Sequence, residues 1–267
     1  MLDSLDKRGR WRIAGGHKSR GGLCVPLFVY PSSEGLQSWE KVAATICSHN
    51  LQDRSYVVVN PDNGDFGIRG DQLAPADNRD CIARERVNPD FAKACRLLRS
   101  HNIETLGYVY TGYGARPLEI VRDRIDLYHL IYGTNGILLD EMARERGKEK
   151  YYSSINAIAK NLGMSRVVGN PGTSIAESYV ETLDTLIVYE KDGYSDLDKI
   201  EERTFNGRYP AEKFGLVLHS LSYYSPEWVK NASKLARYLY LTGGNSVNPY
   251  DSVSEYLDLL ARDLSGK

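Results

Sequence analysis

Gly136-Ile137-Leu138-Leu139-Asp140-Glu141 is an apolar run that ends in two carboxylates. A run in which apolar residues do not alternate with polar ones is typical of a strand buried on both faces, as in a parallel sheet covered by helices. In α/β barrels the ends of such strands carry the active site. We therefore interpret this stretch as the catalytic strand end of a barrel enzyme.

Strand-like segments of the same kind recur along the chain, and a helix-like segment follows each of them. The predicted strands are Leu23–Pro31, Ser55–Pro61, Thr105–Thr111, Gly136–Met142, Arg166–Asn170, Thr185–Glu190, Phe214–His219 and Leu239–Thr242. The predicted helices are Ser38–His49, Asn88–Asn102, Pro117–Tyr132, Lys148–Leu162, Glu177–Leu183, Asp196–Phe205, Pro226–Tyr238 and Ser252–Leu264. Eight strand–helix units in a chain of 267 residues predict an α/β fold, a single-domain (β/α)8 TIM barrel.

An open doubly wound sheet is the alternative fold, and it predicts a glycine-rich phosphate loop after the first strand. Tyr30–Gly35 contains no G-x-G-x-x-G, so the closed barrel is favoured. We assign residues 23–267 to the barrel. Met1–Gly22 is interpreted as a polar extension that need not be ordered, and it lacks the apolar core of a secretory signal. Asp62–Val87 is predicted to be a long loop.

Composition excludes several classes of function. The formal net charge of -1 gives no global attraction to nucleic acid, and no apolar run is long enough to span a membrane. The four Cys lack C-x-x-C spacing, and Cys24, Cys47 and Cys95 lie in apolar segments typical of core thiols. The five His show no ligand spacing, so we predict no metal ion and no cofactor. Oligomeric state and cellular compartment are left open.

Polar or aromatic residues stand at the end of every predicted strand. Those expected to line the barrel mouth are Tyr30, Asn60, Tyr110, Thr111, Tyr113, Arg116, Asp140, Glu141, Asn170, Glu190 and His219. Any one of them could be ordinary turn chemistry, and His219 alone would more often be structural. Together they form a ring with three carboxylates, which we interpret as a substrate groove.

Two carboxylates facing each other across a cleft are the machinery of glycosidic cleavage. Asp140 and Glu190 end strands two positions apart, so their carboxyl groups can converge over the barrel mouth. Successive residues of a strand point to opposite sides, so Asp140 and Glu141 should not enter the mouth together. The couple is therefore predicted to be Asp140 with Glu190. Retaining and inverting geometries both remain open, with retention favoured.

Several short motifs follow one another along the chain: Val25–Pro31 with Trp39, Val59-Asn60-Pro61 with Gly64, Gly107–Thr111 with Tyr113 and Arg116, Gly136–Glu141, Asn170–Thr173, and Tyr189-Glu190. In this order they resemble spherulation-specific family 4, the spherulin-type proteins. The resemblance covers roughly residues 24–264. The stretch Asn60–Gly67 departs from the tighter turn usual in the family, which bears on sugar preference.

The resemblance implies a metal-independent (β/α)8 endo-glycoside hydrolase that cuts α-1,4-linked N-acetylgalactosamine in galactosaminogalactan-like polysaccharides. It places the three family acids on Asp140, Glu141 and Glu190. Alternatives are the same chemistry on another surface or extracellular amino-sugar polymer, and a non-catalytic carbohydrate-binding barrel. A metal-dependent deacetylase is disfavoured because the histidines lack ligand spacing.

Overall fold

Parallel strands pair in chain order around a closed ring, and the last pairs with the first. The computed structural model describes residues 21–66, 68, 71–73, 85 and 87–266. Within these residues the strands are Gly22–Leu27 (β1), Tyr56–Val59 (β2), Glu104–Tyr110 (β3), Gly136–Asp140 (β4), Arg166–Gly169 (β5), Thr185–Asp192 (β6), Phe214–His219 (β7) and Tyr238–Leu241 (β8). The predicted (β/α)8 barrel is confirmed.

Helices cover the outside of this barrel. They are Leu36–Ser48 (α1), Pro89–Ser100 (α2), Leu118–Leu127 (α3), Glu149–Asn161 (α4), Leu197–Arg203 (α5), Pro226–Ala232 (α6) and Leu257–Ser265 (α7). The predicted fifth helix, Glu177–Leu183, is only a 3-10 turn over Glu177–Tyr179. The Thr182 hydroxyl donates to the Tyr179 carbonyl at 2.7 Å, and such a side-chain bond competes with helix continuation.

Several element boundaries differ from the sequence prediction; the last helix, for example, begins at Leu257 rather than Ser252. β1 ends at Leu27 because the next amide, on Phe28, donates to the Tyr250 carbonyl at 3.1 Å and leaves the strand ladder. α1 begins at Leu36, two residues before the predicted Ser38 cap. The predicted helix Pro226–Tyr238 ran too far, since α6 ends at Ala232. The strand β8 then starts at Tyr238, where it pairs with β7 and β1.

Two buried arginines hold the described part of the predicted Asp62–Val87 loop against the barrel. The Arg116 guanidinium contacts Asp65 at 2.7 Å and Asp71 at 3.0 Å. Arg124 contacts Asp65 at 3.4 Å and donates to the Gln72 carbonyl at 3.0 Å. The first part of this stretch is therefore held in place by a 3-10 turn at Pro61–Gly64 and by these contacts. Most of residues 74–86 lie outside the described residues.

The thiols that the structure describes are unpaired. Cys24 and Cys95 are buried and Cys47 is half-buried, as expected of core residues. Cys81 and residues 1–20 of the predicted extension fall outside the described residues. Within the described part of the chain, every helix is too short or too polar to cross a bilayer.

Candidate active site

Asp140 and Glu190 meet at the carboxyl-terminal mouth of the barrel, and one amide group joins them. Nδ2 of Asn170 donates to Oδ1 of Asp140 at 2.9 Å and to Oε2 of Glu190 at 2.6 Å. Because both oxygens contact the same nitrogen atom, these distances place them no more than 5.5 Å apart. A side chain placed between two carboxylates must donate to both of them. The Asn170 amide is therefore oriented with its NH2 group toward the two acids.

A β-bulge in β6 turns Glu190 toward the mouth. Ile187 pairs with Gly215, but the next pairing joins Tyr189 to Leu216, so Val188 is the extra residue. A bulge shifts the inward and outward alternation of a strand by one position. Ile187 and Glu190, three residues apart, consequently both line the barrel interior. Regular alternation from Ile187 would have turned Glu190 outward.

Each carboxylate also receives a hydrogen bond from a tyrosine. Tyr108 donates to Oδ2 of Asp140 at 2.7 Å, and Tyr250 donates a short hydrogen bond to Oε1 of Glu190. Burial, reinforced by the neighbouring Asp140 charge, raises the pKa of Tyr108. Burial and the Glu190 charge likewise raise the pKa of Tyr250. Both hydroxyls therefore stay protonated and act as donors across the physiological pH range.

Glu141 does not belong to this hydrogen-bonded group. Its φ of +49° ends the strand, and its side chain is exposed. Its carbonyl accepts from the Tyr113 amide at 2.7 Å and from the Thr111 hydroxyl at 2.9 Å. Non-glycine residues in the left-handed region store strain that often marks functional sites. The expected divergence of Asp140 and Glu141 is what the structure has.

The carboxylate pair opens into a cavity of about 500 Å3. Among the residues described, its lining contains two acids, one histidine, and no lysine or arginine: Phe28, Asn60, Asn63, Tyr108, Asp140, Glu190, His219, Ser246–Pro249 and Tyr250. A neighbouring cavity of about 450 Å3 shares Phe28 and Asn60 and reaches Tyr30. A further space of about 70 Å3 extends below the carboxylates toward Cys24 and Tyr56. The mouth is thus a groove with an acidic centre.

The predicted groove residues fall into two groups. Asn60, Asn170 and His219 lie with the carboxylates around the mouth, and Tyr30 lines the adjoining cavity. Tyr113 stands on the rim with its side chain exposed.

Three other predicted groove residues instead support the walls. Thr111 is fully buried and bonds to the end of β4. Arg116 is 4% exposed, pairs with Asp65 and Asp71, and stacks on the Tyr110 ring at 3.9 Å. These three are not brought to the carboxylates.

Sequence reasoning missed Tyr108 and Tyr250. Tyr108 pairs in register with Leu138, which faces the barrel interior, and that register is not readable from one sequence. Tyr250 belongs to the segment after β8, where the glycines Gly243 and Gly244 marked a loop at the active-site end. A search of residues following each strand, beyond its first polar position, could have found Tyr250 but not Tyr108.

No cluster of three or more His, Cys, Asp or Glu side chains suited to a metal ion occurs among the residues described. The acids at the mouth instead contact tyrosine and amide donors.

The family model of spherulation-specific family 4 matches residues 22–263. The chain belongs to this family. The resemblance stated from the motifs is therefore confirmed. Spherulin-4 of Physarum polycephalum is 27% identical over 249 residues, which covers 88% of this chain and 67% of that protein.

Two solved structures have a fold similar to that of this chain. Aspergillus clavatus Sph3, crystallised in complex with GalNAc, has a TM-score of 0.73 at 22% identity, covering 93% of this chain and all of the other. A maltogenic α-amylase, AmyB from Thermotoga neapolitana, has a TM-score of 0.58 at 10% identity, covering 94% and 77%. At these identities the similarity establishes the barrel architecture alone.

Proposed function

We propose that this protein is an endo-acting glycoside hydrolase that cleaves polysaccharides containing α-1,4-linked N-acetylgalactosamine. One observation carries the proposal: Asp140 and Glu190 lie within 5.5 Å of each other, through Asn170, at the floor of an open groove. Retaining glycosidases hold their two carboxyl groups about 5–5.5 Å apart, and inverting ones about 6.5–9.5 Å. Retention of configuration is therefore part of the proposal.

The choice of sugar rests on the family. A member of the same fold, Sph3, was crystallised with GalNAc. In this chain the groove offers amide and hydroxyl groups of the kind that bind sugar hydroxyls. Oδ1 of Asn60 and Oδ1 of Asn170 are both buried without a partner in the described part of the chain. No donor among the described residues uses either oxygen, so each amide keeps an unused acceptor at the groove wall.

In the proposed reaction Asp140 is the nucleophile and Glu190 is the general acid and base. The Asp140 carboxylate forms an ester with the anomeric carbon while the glycosidic C–O bond breaks. Glu190 gives its proton to the leaving oxygen, then takes a proton from the water that hydrolyses the ester. Tyr108 holds Asp140, and Tyr250 holds Glu190. Glu141, exposed at the rim, contacts the substrate rather than the reacting bond.

The test is hydrolysis of purified galactosaminogalactan, with a panel of other amino-sugar polymers beside it. We expect the wild type to release oligosaccharides whose new reducing ends keep the α configuration, read by NMR at early times. Glu190→Gln should lose at least a thousandfold in kcat on the polymer, and Glu227→Gln, an exposed glutamate on α6, should lose nothing. An oligosaccharyl fluoride needs little protonation to leave, so Glu190→Gln should release one rapid burst of fluoride per active site, whereas Asp140→Asn should release none. Hydrolysis of the ester stays slow in Glu190→Gln because its general base is missing.

Each alternative has its own result. Cleavage of a different polymer on the panel would keep the chemistry and change the substrate. Tight binding of galactosaminogalactan with no product from any polymer would instead support a carbohydrate-binding barrel. Undiminished cleavage by Glu190→Gln would remove this residue from the mechanism.

A further inference from the structure

Exposed aromatic side chains occur at only three positions among the described residues, and all three stand at the active-site end of the barrel. They are Tyr30, Tyr113 and Tyr223, which are 52%, 65% and 60% exposed. They follow β1, β3 and β7 respectively. Most other aromatic rings of the described chain pack into the core. A tyrosine exposed beside the groove can offer a ring face and a hydroxyl to a sugar.

Tyr113 and Tyr223 follow strands on opposite sides of the ring. In a closed barrel of eight strands, β3 and β7 are separated by three strands either way. On one of these sides β4, β5 and β6 supply Asp140, Asn170 and Glu190. A line from one tyrosine to the other therefore passes along the carboxylate pair, with Asp140 nearer Tyr113 and Glu190 nearer Tyr223.

We propose that Tyr113 and Tyr223 are the two end platforms of one polysaccharide path, with the cleaved bond at its middle. The inference rests on the proposed hydrolase function and adds how the polymer lies across the mouth. Its ligands are pyranose rings several units from the cut on either side. The apolar face of such a ring packs on a flat aromatic face, and the tyrosine hydroxyl bonds to a sugar hydroxyl.

Tyr113 is held rigidly beside the first carboxylate strand. Its φ is +56°, a strained value for a residue with a side chain, and its amide donates to the Glu141 carbonyl at 2.7 Å. This bond ties the backbone of Tyr113 to the residue next to Asp140. Because the backbone is fixed, binding a sugar on the ring orders little further main chain.

Tyr223 is held beside the second carboxylate strand by a small aromatic cluster. Its ring lies 5.3 Å from Tyr194, which lies 5.2 Å from Trp228. The Tyr194 hydroxyl donates to the Tyr223 carbonyl at 3.1 Å and accepts from the Ser225 amide at 2.9 Å. Tyr194 is four residues after Glu190, so the two α-carbons lie within about 14 Å.

Tyr30 is part of the wall rather than an end platform. Its hydroxyl donates to Asp90 at 3.2 Å and accepts from Nδ2 of Asn88 at 2.9 Å. Its ring meets Phe91 edge-on at 5.5 Å. A tyrosine whose hydroxyl is already bonded to two side chains has less to offer a sugar.

The test maps the position of cleavage in α-1,4-linked N-acetylgalactosamine oligomers of defined length, labelled at the reducing end. In wild type we expect one preferred register. Tyr113→Ala and Tyr223→Ala should displace the cut in opposite directions and raise KM for the long oligomers by about fivefold, with little change for short ones. Tyr223→Trp should restore the wild-type register. Leu130→Ala, which truncates an exposed side chain on the π-helical turn after α3, is the matched control.

A binding experiment separates failure of the proposed polysaccharide path from failure of the proposed hydrolase function. Glu190→Gln protein is titrated with galactosaminogalactan, with and without each tyrosine substitution. Weaker binding caused by both substitutions, together with no cleavage by the wild type, would keep the path and remove the hydrolase proposal. The proposed path is overturned if the two substitutions displace the cut in the same direction or do not displace it. It is also overturned if the substitutions leave binding unchanged, or if Glu190→Gln protein does not bind the polymer at all. Thermal unfolding of each variant shows whether the fold is intact.

Discussion

Replacing Asn170 by alanine is the sharpest test of how the carboxylate pair is held. The substitution removes both donors that join Asp140 to Glu190. Hydrogen bonds to charged groups contribute about 1.5–3 kcal/mol each. At 5.5 Å and an effective dielectric constant of about 20, the repulsion between the unbridged carboxylates is about 3 kcal/mol.

This repulsion drives the two carboxylates apart, so the substitution disturbs the spacing that the reaction needs. We expect kcat at its optimum to fall about a hundredfold, equivalent to about 2.7 kcal/mol in the barrier. Asn170→Asp replaces the shared donor by a third negative charge beside the pair, so it should lower kcat at least as far.

The assay is reducing-sugar release from galactosaminogalactan between pH 3 and pH 9. Asn156→Ala is the matched control, because its amide donates to the Thr182 carbonyl at 3.0 Å and its Oδ1 is also buried without a partner in the described chain. Unchanged activity across this pH range would refute the reasoning.

Tyr250→Phe removes one donor from Glu190 and should lower kcat/KM about tenfold, measured on the polymer. Tyr224→Phe is the control: it removes a tyrosine hydrogen bond to the Asp263 carboxylate and should leave activity unchanged. Burial raises the pKa of Cys24 from 9.0 to about 12. The stabilisation linked to this buried thiol is therefore fully present below pH 9. Roughly 4 kcal/mol of it is lost as the pH rises to 12. Cys24→Ala should abolish this loss, measured by urea unfolding over a series of pH values. Gly107→Ala would place a methyl group 2.3 Å from a buried tyrosine ring and should lower Tm by about 5–10 °C in calorimetry. An unmoved Tm would contradict that packing.

The sequence alone was sufficient to predict the architecture, because burial of a strand leaves a local pattern of apolar residues. Strands covered on both faces are apolar without alternation, and eight of them separated by helical spacing admit few folds. The same pattern put Asp140 and Glu190 at strand ends and separated Glu141 from them. The family motifs around these positions were readable for the same reason: they are short and continuous.

Only the tertiary structure decided which side chains meet. A bulge at Val188 turns Glu190 inward, and Tyr250 arrives from the segment after the last strand. Arg116, at a strand end like the others, is held by Asp65 and Asp71 in a buried ion network. These outcomes depend on register and on contacts between residues far apart in the chain. Local residue patterns do not encode such pairings, because the partners are chosen when the barrel closes.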